Sequence, residues 1–133
     1  MKKFIGIALS FTILLGCADN KKQEKLLLDS VIAVHDKVMA SDEHLMKNKM
    51  MLDSVIKNIL TINDSAKACL KLVDDADGAM SDWMHKFDVE NKGKSHQEII
   101  DYLSDQKKKI SAIDSQIDTA ISQSDKYLNQ DKK

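Results

Sequence analysis

The sequence predicts an all-α protein, an antiparallel up-down-up bundle of three helices with coiled-coil-like packing, and three observations carry that prediction. Apolar residues recur at intervals of three and four rather than two, so they gather on one face of a helix. Breakers are scarce: 133 residues hold no Pro and four Gly, as long helices require. Charged residues make up 31% and aromatics 5%, a solvated surface around aliphatic seams and not the aromatic, β-branched composition of sheets.

Residues 1–16 stand outside this pattern. Met1-Lys2-Lys3 is a basic head, and residues 4–15 are an apolar run too short for a permanent membrane span. Together they predict a signal peptide, a leader helix that is cleaved. The run ends in Leu14-Leu15-Gly16-Cys17, which resembles the bacterial lipobox. That resemblance implies that Cys17 is acylated, with palmitate or a similar chain, and becomes the first residue of the mature protein. Membrane contact is then expected through the lipid on Cys17. Position 18 is Ala and not Asp, which by the same resemblance leans toward the outer membrane.

About 117 residues remain after cleavage, enough for one domain. The lipidated Cys17 and a polar stretch, residues 17–25, are expected to form a flexible tether. The bundle should occupy residues 26–128, and residues 129–133 a polar tail. In the first helix, Val31, Val38, Leu45, Leu52 and Ile59 form a row seven apart, with Ile32, Met39, Met46 and Leu60 beside it. A second row from Leu28 to Ile56 is interrupted by His35, Asp42 and Lys49. Ala40-Ser41-Asp42-Glu43 is its weakest segment; Ser41 is suited to cap a new helix, so a kink or a fourth short helix is expected there. A turn follows at Asn63 or Asp64, although the seven-residue register also runs on through Ile59, Asn63 and Ala66, as one continuous helix would.

The second helix carries Ala66, Cys69, Val73, Ala76, Met80, Trp83 and Phe87 on one seam. Gly78 inside it costs about 1 kcal/mol relative to Ala, so packing has to hold the helix. Residues 88–94 form a loop, and Ser95-His96-Gln97-Glu98 is a capping box. Ile99, Leu103, Ile110, Ile113, Ile117, Ala120 and Tyr127 then face inward along the third helix. The first helix is the longest, so Leu26, Leu27, Leu28 and Val31 are expected to overhang, bent back or exposed for self-association.

Composition narrows the function. Every basic residue is Lys, and without the planar Arg fork the chain has no usual reader of phosphates and base edges, so nucleic acid is not an expected partner. With a formal charge of -1 there is no basic face for anionic lipid. Cys69 has no partner once Cys17 is acylated, and reads as a buried, inert thiol. Asp74, Asp75 and Asp77 lack the spacing of a calcium loop. The sequence contains no phosphate loop, nucleophile elbow or triad arrangement, so no enzyme activity and no cofactor are expected.

One constellation points elsewhere. Folding the first two helices about Asn63 makes facing residue numbers sum to about 127, which sets His44 level with Trp83 and Met39 with Asp88. His35, Met39, Met84 and His96 would then share one end of the bundle, and thioether with imidazole suits copper, or a haem iron held by His and Met. Against this, methionines at helical spacing are more often gap-filling core, and His35 reads as a seam residue bonded to a facing carboxylate.

Three segments carry a family resemblance: His35-Asp36-Lys37-Val38-Met39, then Ala76-Asp77-Gly78-Ala79-Met80-Ser81-Asp82-Trp83-Met84-His85-Lys86-Phe87, and Tyr102-Leu103 with Gln106-Lys107-Lys108-Lys109-Ile110. With the lipobox, the chain resembles a family of small Gram-negative envelope lipoproteins labelled "viral A-type inclusion protein". The family commonly has Pro where Ala40 stands here. The resemblance implies an envelope address and a helical fold, and no reaction. The expected function is a lipid-anchored structural or interaction module of the bacterial cell envelope; the alternative is a periplasm-facing bundle binding copper or a small ligand.

Overall fold

A computed structural model describes residues 14–58 and 64–130, with side chains from residue 18 onward. Three helices account for most of it: α1 (Leu14–Asn58), α2 (Asp64–Lys86) and α3 (His96–Gln130), each packed on both others. Their directions follow from the contacts. Glu24 meets His96 while Asn48 meets Ser124, so α1 and α3 run parallel. Trp83 lies by His35 and Asp74 by Lys49, so α2 runs back between them. The expected up-down-up bundle is present.

The core is built from the predicted rows. Val31, Val38, Leu45 and Leu52 of α1 are buried, as are Ala66, Val73, Ala76, Met80 and Trp83 of α2. In α3 the buried row is Leu103, Gln106, Ile110, Ile113, Ile117, Ala120, Ser124 and Leu128, spaced three or four apart. Ile59, Leu60 and Asn63 lie outside the described residues. Asn58 and Asp64 belong to antiparallel helices and not to one continuous helix, and Asp64 stands in the first turn of α2, where a carboxylate interacts favourably with the helix dipole.

Five expectations need correction. Residues 18–25 are not a flexible tether: α1 starts at Leu14 and passes through them. Lys25 pairs with Asp29 one turn on, and Glu24 reaches across to His96 on α3, so these polar side chains have helical and tertiary partners. Neither does α1 break at Ser41. The Ser41 hydroxyl donates to the Lys37 carbonyl at 3.4 Å, bonding back onto the helix in place of capping a new one. Ala40 keeps its backbone N–H and leaves the helix intact. No fourth helix forms among the described residues.

The overhang is also largely covered. Val31 is 0% exposed and Leu27 and Leu28 are half-buried, because α3 begins level with Glu24 and lays Ile99 and Leu103 beside Leu28; Leu26 stays 61% exposed. At the other end α3 runs on to Gln130, so the first two residues of the expected tail are helical. Finally, α1 and α2 meet in a different register. The Trp83 ring lies 6.1 Å from that of His35, not level with His44.

Gly78 is exposed, and a Cβ built on it meets nothing within 4 Å. No close approach requires glycine here. Gly78→Ala should therefore raise stability by about 0.5–1 kcal/mol through backbone entropy alone, read as a higher midpoint in urea.

Candidate functional site

The contact between α1 and α3 carries polar bridges at three levels. At one end the His96 Nδ1 lies 2.7 Å from Glu24 Oε1. In the middle Lys37 Nζ donates to Asp114 at 2.7 Å and Asp118 at 3.3 Å; the hydrogen bond to Asp114, then that to Asp118, pushes its pKa up. At the far end Asn48 is buried, and its Nδ2 donates to Ser124 Oγ at 2.8 Å and to Asp125 Oδ1 at 2.7 Å. His44 Nε2 reaches the same Asp125 oxygen at 2.9 Å, and Ser124 Oγ donates onward to the Ala120 carbonyl at 2.6 Å. A satisfied polar layer within an apolar seam fixes how far one helix slides along the other. Sequence reasoning missed Asn48, Gln106 and Ser124 because it followed apolar residues. Spacing alone would have found the last two, which fill the gaps between Leu103 and Ile110 and between Ala120 and Leu128.

The proposed metal ligands are not brought together as one set. His35 Nδ1 bonds Asp36 at 2.9 Å, a neighbour on its own helix and not a facing carboxylate. Met39 and Met84 are both 41% exposed, so neither fills a core gap. His96 is held at Glu24, eleven residues before His35 on α1, about 16 Å along the axis. His85 Nδ1 donates to the Ser81 carbonyl of its own helix at 2.7 Å. Among the described residues no group of three or more His, Cys, Asp or Glu could hold an ion. Cys69 is half-buried with its Sγ 3.8 Å from the Gln123 carbonyl, and burial pushes its pKa up, disfavouring the reactive thiolate.

The α2–α3 connection is held by its own hydrogen-bond network. Asp88 Oδ1 accepts from the backbone N–H of Glu90 at 3.1 Å and of Asn91 at 3.2 Å, while Oδ2 accepts Lys94 Nζ at 2.6 Å. This wraps the chain tightly enough that Asn91 and Gly93 take left-handed φ of 50° and 79°. The predicted capping box closes α3: Ser95 N–H donates to Glu98 Oε2 at 2.7 Å, and Glu98 N–H to Ser95 Oγ at 3.4 Å. Rings continue inward from the loop, Tyr102 stacked on Phe87 at 6.3 Å and Phe87 on Trp83 at 4.7 Å.

Both carboxylates are acidified by this geometry, Asp88 chiefly by Lys94 and then the Asn91 N–H, Glu98 chiefly by the Ser95 backbone. A carboxyl depressed in the folded state contributes stability that is present above its unfolded pKa and lost as pH falls through the folded one. Acid should accordingly loosen the connection below the ordinary values of 3.8 and 4.5. Amide protection at residues 88–98, measured against the intrinsic exchange rate at each pH, should be lost there before that of the core, and Asp88→Asn should remove much of that pH dependence.

The other concavities are open grooves between helices. One of about 430 Å³ between α2 and α3 is floored by Ala79, Trp83, Ala112 and Ile113 and rimmed by Asp82, Lys86 and Lys109. A second of about 330 Å³, sharing Gln116, extends it past Leu72, Ala76 and Thr119. No helix among the described residues is long and apolar enough to cross a membrane. Compared with known proteins, the chain matches no protein-family model, no curated protein and no solved structure.

Proposed function

We propose that the chain is a lipid-anchored interaction module of the bacterial cell envelope, without catalysis of its own, held to the outer membrane through Cys17. The continuity of α1 carries this reading. That helix runs unbroken from Cys17 to Asn58, about 63 Å, so the lipobox Cys17 lies on the same rod whose Val31, Val38, Leu45 and Leu52 form the core. An acyl chain there holds the bundle by a stiff stem and not a loose string, and a stiff stem fixes which side faces neighbouring molecules. The open inter-helix grooves suit contact with protein surfaces better than enclosure of a substrate. The family resemblance gives the same address.

Metabolic labelling with an alkynyl palmitate tests this. The wild-type chain should carry label, fractionate with envelope membranes and lack residues 1–16. Cys17→Ser should carry none and retain residues 1–16. Label persisting on Cys17→Ser, or wild-type protein recovered from the cytosol with its leader intact, contradicts the proposal.

A further inference from the structure

The geometry points to the groove between α2 and α3 as the face through which two copies of this chain pair side by side. This rests on the anchored reading, since two rods fixed by the start of α1 to one membrane surface must point the same way. The stacking of Phe87 on Tyr102 and the approach of Cys69 to Gln123 fix the register of α2 against α3. In that register Asp82 is level with Lys109, and Lys86 with Asp105. Each helix therefore presents one acid and one base, in opposite order along the bundle.

A two-fold axis parallel to the rods lays α2 of one copy over α3 of the other. Asp82 then faces Lys109 of the second copy, and Lys86 faces its Asp105, so these four charges meet their opposites, while Asp75 farther along the groove lies level with the uncharged Gln116. Within one copy these four form only exposed pairs one turn apart, Lys86–Asp82 at 3.4 Å and Lys109–Asp105 at 2.6 Å. Such pairs contribute little, so exchanging them for contacts between copies costs little. Beneath them Ala79 and Ala112 allow close approach to the faces of Trp83 and Ile113. The area is also adequate. The 23 residues of α2 extend about 34 Å, and two helix widths of about 10 Å make a face of roughly 700 Å² per copy, close to the ~800 Å² per partner of a standard stable interface.

The test is sedimentation equilibrium of the full lipidated chain in detergent. The wild type should pass from monomer to dimer with concentration. Lys109→Asp and Asp82→Lys alone should each weaken the dimer by about tenfold or more, since like charges then face across the interface. Carrying both substitutions in one chain should restore it, with circular dichroism unchanged throughout. A labelled chain that stays monomeric at every concentration, or a double variant no tighter than the single ones, overturns the pairing. A dimer with this rescue pattern in a chain lacking label on Cys17 sinks the anchor and leaves the pairing standing.

Discussion

Trp83→Ala should destabilise the bundle by about 3–5 kcal/mol, while Trp83→Phe should change its stability little. Trp83 is 6% exposed and touches all three helices' shared core, stacking on Phe87, tilting against His35 and flooring the α2–α3 groove. Truncation to Ala opens a cavity at that junction. Phe keeps an aromatic ring against Phe87 and removes a liability, because the indole Nε1 is buried and finds no acceptor among the described residues. An orphaned buried donor costs about 1–3 kcal/mol, of the same order as the loss from the smaller ring. Since this is the chain's one Trp, unfolding is followed by far-ultraviolet circular dichroism in urea. A Phe variant as unstable as the Ala variant would contradict this account of the site.

The second large effect separates two residues five apart on α1. Leu45→Ala should cost about 3–4 kcal/mol, and Met50→Ala less than about 0.5 kcal/mol. Leu45 is 1% exposed among the largest fully buried side chains, whereas Met50 is 72% exposed. Leu and Met have nearly equal helix propensity, so the contrast isolates burial from local structure. In thermal unfolding the Leu45 variant should fall by roughly 10 °C, with the Met50 variant near the wild type. Similar losses at both positions would mean that α1 is not oriented as described.

Which face of each helix points inward was legible in the sequence, because burial follows the three-and-four spacing of apolar residues. Val31, Val38, Leu45 and Leu52, and Ile110, Ile113 and Ile117, are all buried as expected. How far one helix slides along another was not. A slip of one heptad leaves the same faces in contact, so spacing fixes the face and not the level; the contacts of the folded chain set Trp83 beside His35, nine residues before the expected level of His44. The supposed tether misled for a related reason. Residues 18–25 show no apolar period, and the contact that ties them to α3, Glu24 to His96, joins residues distant in sequence. The same tertiary contact separates His96 from His35, and with it dissolves the shared ligand end that the numbering suggested.

The central claim is that α1 is one rod from Cys17 into the core, and an electron-spin distance measurement tests it most directly. Labels carried on noncanonical side chains at Lys21 and Ser54, both exposed, are 33 residues apart and should give one narrow distance near 50 Å when the labelled chain is diluted into an excess of unlabelled chain, so that distances between copies do not contribute. A broad distribution centred well short of that would mean a loose tether or a break at Ser41, and the rigid stem would be gone.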